Sequence, residues 1–152
     1  KGPVAVRYPR GGEGAYRTDA AQTLLKEGTD CTVVTYGTTI KAVLEAAEGC
    51  EKEGISVEVL KLATIAPLDF AAVEASCRKT GRVLVVEETS NHGCAADELF
   101  AHLLQSGVTG HFCKQNLGDG YICHGAMQDL YALAGLNAQA LWDKIREVCH
   151  EA

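Results

Sequence analysis

TDCTVVTYGTTIKAVLEAAEGCEKEGISVEVLKL, residues Thr29 to Leu62, carries two apolar runs separated by a helical pattern. Cys31 to Tyr36 is a short, largely β-branched stretch between Asp30 and Gly37, the form of a strand covered on both faces. Gly37 ends it. Thr38 or Thr39 stands where a helix N-cap is expected, and Ile40, Val43, Leu44 and Ala47 then recur at helical spacing until Gly54. Ser56 to Leu62 reads as a second buried strand. Two such strands joined through a helix form a βαβ unit, which pairs in parallel with a right-handed crossover.

The alternation continues downstream. Asp69 is placed to cap a short helix that turns Phe70, Val73 and Cys77 inward and stops at Gly81. Arg82 to Glu88 is a third buried strand. After Gly93 comes a helix with Leu99, Phe100, Leu103 and Leu104 on one face, ended by Gly107, and His111 to Gln115 suits an edge strand. Met127 to Ala134 and Asn137 to Glu151 are two closing helices that meet at Gly135. The class is α/β: three layers, α/β/α, around a mainly parallel sheet.

Upstream, Gly2 to Arg10 (GPVAVRYPR) has a strand's alternation until Pro9, and residues 12–19 have the glycine-rich, polar composition of a linker. The expected organisation is residues 1–11 as the tail strand of a preceding domain, a linker over 12–19, and one domain over 20–152. Gln22 to Lys26 is a short apolar stretch of undecided form. The chain begins Lys-Gly-Pro and its one methionine is Met127, so the expectation is a piece of a longer polypeptide.

Composition narrows the function classes. At 152 residues, 47% of them apolar, one well-buried core is expected and a second full domain does not fit. The formal charge of -6 repels a phosphate backbone, so nucleic acid is not an expected partner. No apolar run approaches the ~20 residues of a membrane-spanning helix, and the expected location is cytoplasmic. Seven cysteines occur singly, without Cys-x-x-Cys or zinc spacing, and are expected to be reduced, several of them packed in the core. Neither a disulfide framework nor a metal site is encoded.

In a doubly wound sheet, ligands sit beyond the carboxyl ends of strands where strand order reverses. Here those ends are Tyr36-Gly37-Thr38 and Glu87 to Gly93, so Tyr36, Gly37, Thr38, Glu88 and His92 line the candidate crevice. Glu87 and Glu88 are neighbours on a strand and face opposite ways, so they form no acid/base pair. One of them is expected to accept hydrogen bonds from the Thr89 to Gly93 loop. Gly118-Asp119-Gly120 is a turn, because no asparagine follows at the distance a diphosphate-metal motif requires. Cys123 and His124 are adjacent in sequence, which does not make a nucleophile and its base. No catalytic residue is assigned. Arg7 and Arg10 on their own read as two solvated arginines beside a loop.

Five segments in order carry a resemblance: GPVAVRYPRG at Gly2 to Gly11, TDCTVVTYGTT at Thr29 to Thr39, GISVEVLKLATIAPLD at Gly54 to Asp69, VLVVEETSNHG at Val83 to Gly93, and YICHGAMQDLYALAGLNAQAL at Tyr121 to Leu141. They resemble the carboxy-terminal domain of the 1-deoxy-D-xylulose-5-phosphate synthase family, within the transketolase-like thiamin-diphosphate enzymes. Ala66, where that family commonly has lysine, and the loop with Thr89, Asn91, His92 and Cys94 depart from its pattern. The resemblance implies a mixed, mostly parallel five-stranded sheet with Gln22 to Lys26 as an antiparallel edge strand. It implies that the intact enzyme condenses pyruvate with glyceraldehyde 3-phosphate, using thiamin diphosphate and Mg2+ held in preceding domains. In that enzyme Arg10, or less favourably Arg7, matches a substrate-phosphate arginine. Preceding domains of the same polypeptide and a homodimer are the implied partners, and the isolated chain is expected neither to hold cofactor nor to catalyse. The alternatives are the end of a transketolase or a 2-oxoacid dehydrogenase β subunit, or a free-standing module for small-anion binding or dimerisation.

Overall fold

The computed structural model describes residues 2–6 and 23–150. Arg7, Arg10, the 12–19 linker and Gln22 lie outside the described residues, and residues 2–6 carry no strand, with Val4 and Val6 exposed. The remaining elements follow the predicted order: β1 (Leu24–Lys26), β2 (Cys31–Thr35), a 3-10 turn (Gly37–Thr39), α1 (Ile40–Lys52), β3 (Val57–Lys61), α2 (Phe70–Thr80), β4 (Arg82–Val86), α3 (Ala95–Gln105), β5 (His111–Gln115), α4 (Met127–Leu133) and α5 (Ala138–His150).

Strand order is β1-β3-β2-β4-β5. Strands β3, β2, β4 and β5 are parallel, and β1 runs antiparallel on the outer edge of β3. The chain moves outward from β2 to β3, then crosses back to place β4 on the other side of β2. The order therefore reverses between the carboxyl ends of β2 and β4, as the sequence implied.

Period-two alternation divides the core into two layers. Cys31, Val33, Val57, Val59, Leu84 and Val86 face α1 and α5, whose Val43, Ala47, Cys50, Leu141, Ile145 and Val148 close over them. Val34, Leu60, Val83 and Val85 face α2 and α3, meeting Val73, Cys77, Leu99 and Leu103. All five residues of β2 and of β3 are buried, which explains why their text lacks a polar alternation. Gly28 is a point of close approach: a Cβ there would stand 2.2 Å from the Glu58 backbone nitrogen.

Helix ends repeat the sequence reading in part. The Asp69 carboxylate accepts from the Ala71 N–H at 3.2 Å, and Gly81, with φ +68°, ends α2 in the left-handed conformation. Thr39 holds the N-cap position of α1, but neither it nor Thr38 makes a side-chain cap bond there. Thr39 bonds instead to the Thr35 hydroxyl at 2.6 Å and the Tyr36 carbonyl at 2.9 Å, because the intervening 3-10 turn brings its side chain back onto the strand. Leu104 is also misplaced by the pattern. It is 66% exposed while Leu99 and Leu103 are buried, since a stripe one residue too wide reaches the solvent flank of α3.

Candidate functional site

At the switch point, Gly37 adopts φ +66° and turns the chain sharply out of β2. Beside it β4 runs out into Glu87 and Glu88. These alternate across the sheet as strand residues must, and each binds a different layer.

Glu87 is fully buried on the α2/α3 side. Its carboxylate accepts from the Ala95 N–H and the Ala96 N–H, both at 3.1 Å, and from the Tyr36 hydroxyl at 2.9 Å. Cys94 holds the N-cap position of α3 and makes no side-chain cap bond, so Glu87 supplies the missing acceptor from the neighbouring strand. The helix N-terminus favours the buried negative charge. Burial pushes the Tyr36 phenol well above its ordinary pKa, and donation to Glu87 adds to the effect. It therefore stays a donor at neutral pH.

Glu88 is exposed and turns to the other layer. It accepts from the Thr38 hydroxyl at 2.5 Å and from the Tyr131 hydroxyl of α4 at 2.9 Å. The Tyr131 phenol is raised chiefly by burial, with Glu88 adding and Thr38 opposing. The two carboxylates thus tie β2, the 3-10 turn, α3 and α4 around one point. A buried carboxylate with its three donors satisfied and two phenols held protonated is an arrangement for fixing geometry.

Tyr36, Gly37, Thr38 and Glu88 are therefore brought together. His92 is not. It lies on the outer side of the loop, with its side chain 86% exposed and Nε2 3.5 Å from Asp119 Oδ2. The Thr89 to Gly93 loop is braced from β5 and its following turn: Lys114 donates to the Asn91 carbonyl at 2.7 Å and to Asp97 at 2.6 Å, and Asn91 donates to Asp119 at 3.1 Å. Lys114 holds the Asp97 carboxyl below its usual range. Glu87 takes no bond from inside the loop, contrary to expectation; its backbone donors are the first residues of the helix beyond it.

Sequence reasoning left Glu87 and Tyr131 out of the site. A signal for Glu87 existed: α3 begins at a cysteine, so its free N–H groups required an acceptor from elsewhere. Tyr131 offered none, since its partner lies 43 residues away.

A second polar group occupies the amino end of the sheet on the α2 side. Glu58, 4% exposed, pairs with Lys79 and accepts from the Ser76 hydroxyl at 2.5 Å; Thr32 joins Ser76 at 2.6 Å and Thr80 at 2.7 Å. Burial would raise the Glu58 pKa, but Lys79, Ser76 and the Gly28 N–H outweigh it and hold the carboxyl below its ordinary value. A shallow depression of about 340 Å3 lies over this group, lined by Leu24, Glu27, Gly28 and Lys79 among others. Among the described residues no three His, Cys, Asp or Glu side chains converge to hold a metal ion.

A three-layer sandwich on a mixed sheet, parallel but for one edge strand and reversing beside its central strand, defines the class as an α/β domain of transketolase type. The chain belongs to the family described as "Transketolase, C-terminal domain", whose model matches residues 20–141. It is 35% identical, over 95% of its length, to 1-deoxy-D-xylulose-5-phosphate synthase of Chlorobium phaeovibrioides, and 31% identical over 99% to that of Macrococcus caseolyticus. It spans about a quarter of the length of these curated relatives, 24% and 26%. Among solved structures, a protein titled a split gene transketolase, inactive beta4 tetramer, superimposes with a TM-score of 0.73 at 27% identity, over 93% of this chain and 46% of that one. The Campylobacter jejuni transketolase gives a TM-score of 0.57 at 19% identity, over 82% of this chain and 18% of that one, a likeness of fold alone.

Proposed function

We propose that this chain serves as the carboxy-terminal domain of a thiamin-diphosphate-dependent 1-deoxy-D-xylulose-5-phosphate synthase. The intact enzyme would join the two carbons left from pyruvate after loss of CO2 to glyceraldehyde 3-phosphate. The observation that carries this reading is the near-complete coverage of the chain by synthases of which it spans a quarter. The geometry agrees with a supporting role, since the switch-point crevice is occupied by the domain's own bonds from Tyr36, Thr38 and Tyr131 to Glu87 and Glu88.

Thiamin diphosphate and Mg2+ belong, on this reading, to the preceding domains, where the cofactor would supply the carbanion chemistry. Arg10 is the proposed contact to the phosphate of glyceraldehyde 3-phosphate, with Arg7 second; a guanidinium suits bidentate phosphate recognition. The exposed apolar residues Tyr121, Met127 and Leu133, on and beside a helix α4 with no buried residue, support docking against the preceding domains. A cytoplasmic homodimer completes the proposal, and no described helix is long and apolar enough to cross a membrane.

The test is CO2 release from pyruvate by the full-length polypeptide. Release that depends on glyceraldehyde 3-phosphate is expected, with Arg10→Ala raising KM for that substrate more than it lowers kcat. Turnover of sugar phosphates without pyruvate would identify a transketolase instead. Activity of the 152-residue chain alone would overturn the supporting role.

A further inference from the structure

Strand β5 sets a thiol and an imidazole side by side. His111 and Cys113 are two residues apart on it and so share one face of the sheet, the α1/α5 face on which Cys113 packs against the core. The His111 Nε2 lies 2.8 Å from the Cys113 Sγ. Backbone bonds hold both members in place: the His111 N–H donates to the Gly81 carbonyl at 2.9 Å, and the ladder to β4 sets Cys113 opposite Leu84. Cys113 is partly buried rather than sealed in the core. It also lies on the outer strand of the sheet, which bonds to β4 alone among the described strands.

The other cysteines do not combine access with a neighbouring base. Cys31, Cys50, Cys77 and Cys94 are buried. Burial pushes the Cys50 thiol up to about 12 and raises those of Cys77 and Cys94. Cys123 is exposed and Cys149 partly buried, and no imidazole is bonded to either among the described residues. A cation stands beside the Cys113 pair. Arg82 of β4 is the register partner of His111, on the face that Leu84 and Val86 turn to α1 and α5, and its buried Nε has no hydrogen-bond partner among the described residues. A positive charge one diagonal step from Cys113 favours the negative charge that a sulfur gathers as its proton leaves.

We propose that Cys113 is a site of reversible exchange with small disulfides, with His111 as its proton carrier. The Cys113 sulfur attacks one sulfur of the disulfide as its proton passes to the His111 Nε2. The S–S bond breaks, and the departing sulfur takes that proton and leaves as a thiol. One protein thiol and one disulfide become one mixed disulfide and one thiol, with no net gain or loss of electrons. The imidazole serves both halves of the exchange, removing a proton from the attacking sulfur and returning it to the leaving one. The capped product needs no second protein thiol, which suits a cysteine whose bonded neighbour is a histidine. Excess small thiol removes the cap by the same steps reversed.

The test incubates the native full-length polypeptide with oxidised glutathione, quenches in acid, blocks the remaining thiols by alkylation and follows each cysteine peptide by mass spectrometry. A glutathionyl adduct on Cys113 is expected to form several-fold faster than on the more exposed Cys123, and dithiothreitol should remove it. In concentrated urea the two should react at similar rates, because the strand that holds His111 beside the thiol is lost. His111→Gln keeps a hydrogen-bonding side chain but cannot carry the proton. It should slow Cys113 several-fold while leaving Cys123 and the urea midpoint as in the parent. Native Cys113 reacting no faster than Cys123 would overturn the proposal, and so would an unchanged Cys113 rate in folded His111→Gln. An adduct on Cys149 in place of Cys113 would do the same. The comparison of native and urea rates in the parent needs no variant and decides the matter should His111→Gln not fold.

Discussion

Glu87 and Glu58 are both buried glutamates on the α2/α3 face of one sheet, yet they sit at its opposite ends and are held in opposite ways. Glu87 meets only groups that cannot leave: two backbone N–H groups of α3 and the Tyr36 hydroxyl. Glu58 meets a lysine whose side chain is 46% exposed, together with the Ser76 hydroxyl. Both carboxylates are satisfied, but loss of each leaves a different residue of unpaired groups. A freed Lys79 returns to water. The freed N–H groups of α3 stay where the helix puts them, and a buried donor without an acceptor is penalised far more than a solvated one. Burial alone therefore does not rank the two; the mobility of the partners does.

The sharpest trial of this contrast is Glu87→Ala. It leaves two N–H groups at the start of α3 and the Tyr36 hydroxyl unmatched and should lower stability by about 3–5 kcal/mol in urea unfolding. A loss under about 1 kcal/mol would mean that water reaches Ala95 and Ala96, and the contrast would fail. Glu58→Ala should be milder, about 1–3 kcal/mol by the same method, because Lys79 is re-solvated and only Ser76 and the Gly28 N–H lose an acceptor.

Acid titration tests the Glu58 pairing directly. The folded Glu58 carboxyl is held below its unfolded value, so its contribution is present above the unfolded pKa of about 4.3 and is lost as pH falls through the folded one. Urea midpoints across roughly pH 3 to 6 should show a shallower acid limb in Glu58→Gln than in the parent. An unchanged slope would remove Lys79 as the cause. Smallest of all is Tyr131→Phe, which withdraws one bond from the exposed Glu88 and should lower stability by about 0.5–1 kcal/mol while leaving α3 protected against hydrogen exchange.

How far each feature could be read in advance follows from its range. Asp69 and Gly81 act within one turn of their own helix, so residue type and spacing sufficed to place the boundaries of α2. Leu104 shows where spacing misleads: an apolar residue one step beyond the inner stripe counts toward a pattern without entering the core. The threonines before α1 were read as caps by the same local logic, but Thr38 is drawn to Glu88, 50 residues on, and Thr39 to Thr35. His92 was grouped with the crevice because it shares a loop with Glu88, and the brace from Asp119 and Lys114 holds that loop with the imidazole outward.

The sequence by itself determined the class of fold, the order of elements, the two-layer core and the place where strand order reverses. These depend on periodicity and on turn residues, which act over a few neighbours. Only the tertiary structure decided that Glu87 caps α3 and that Glu88 gathers Thr38 and Tyr131. Such pairings join residues distant in the chain, and direction across a strand, burial and the approach of a second element select them, none of which a residue carries in its own neighbourhood.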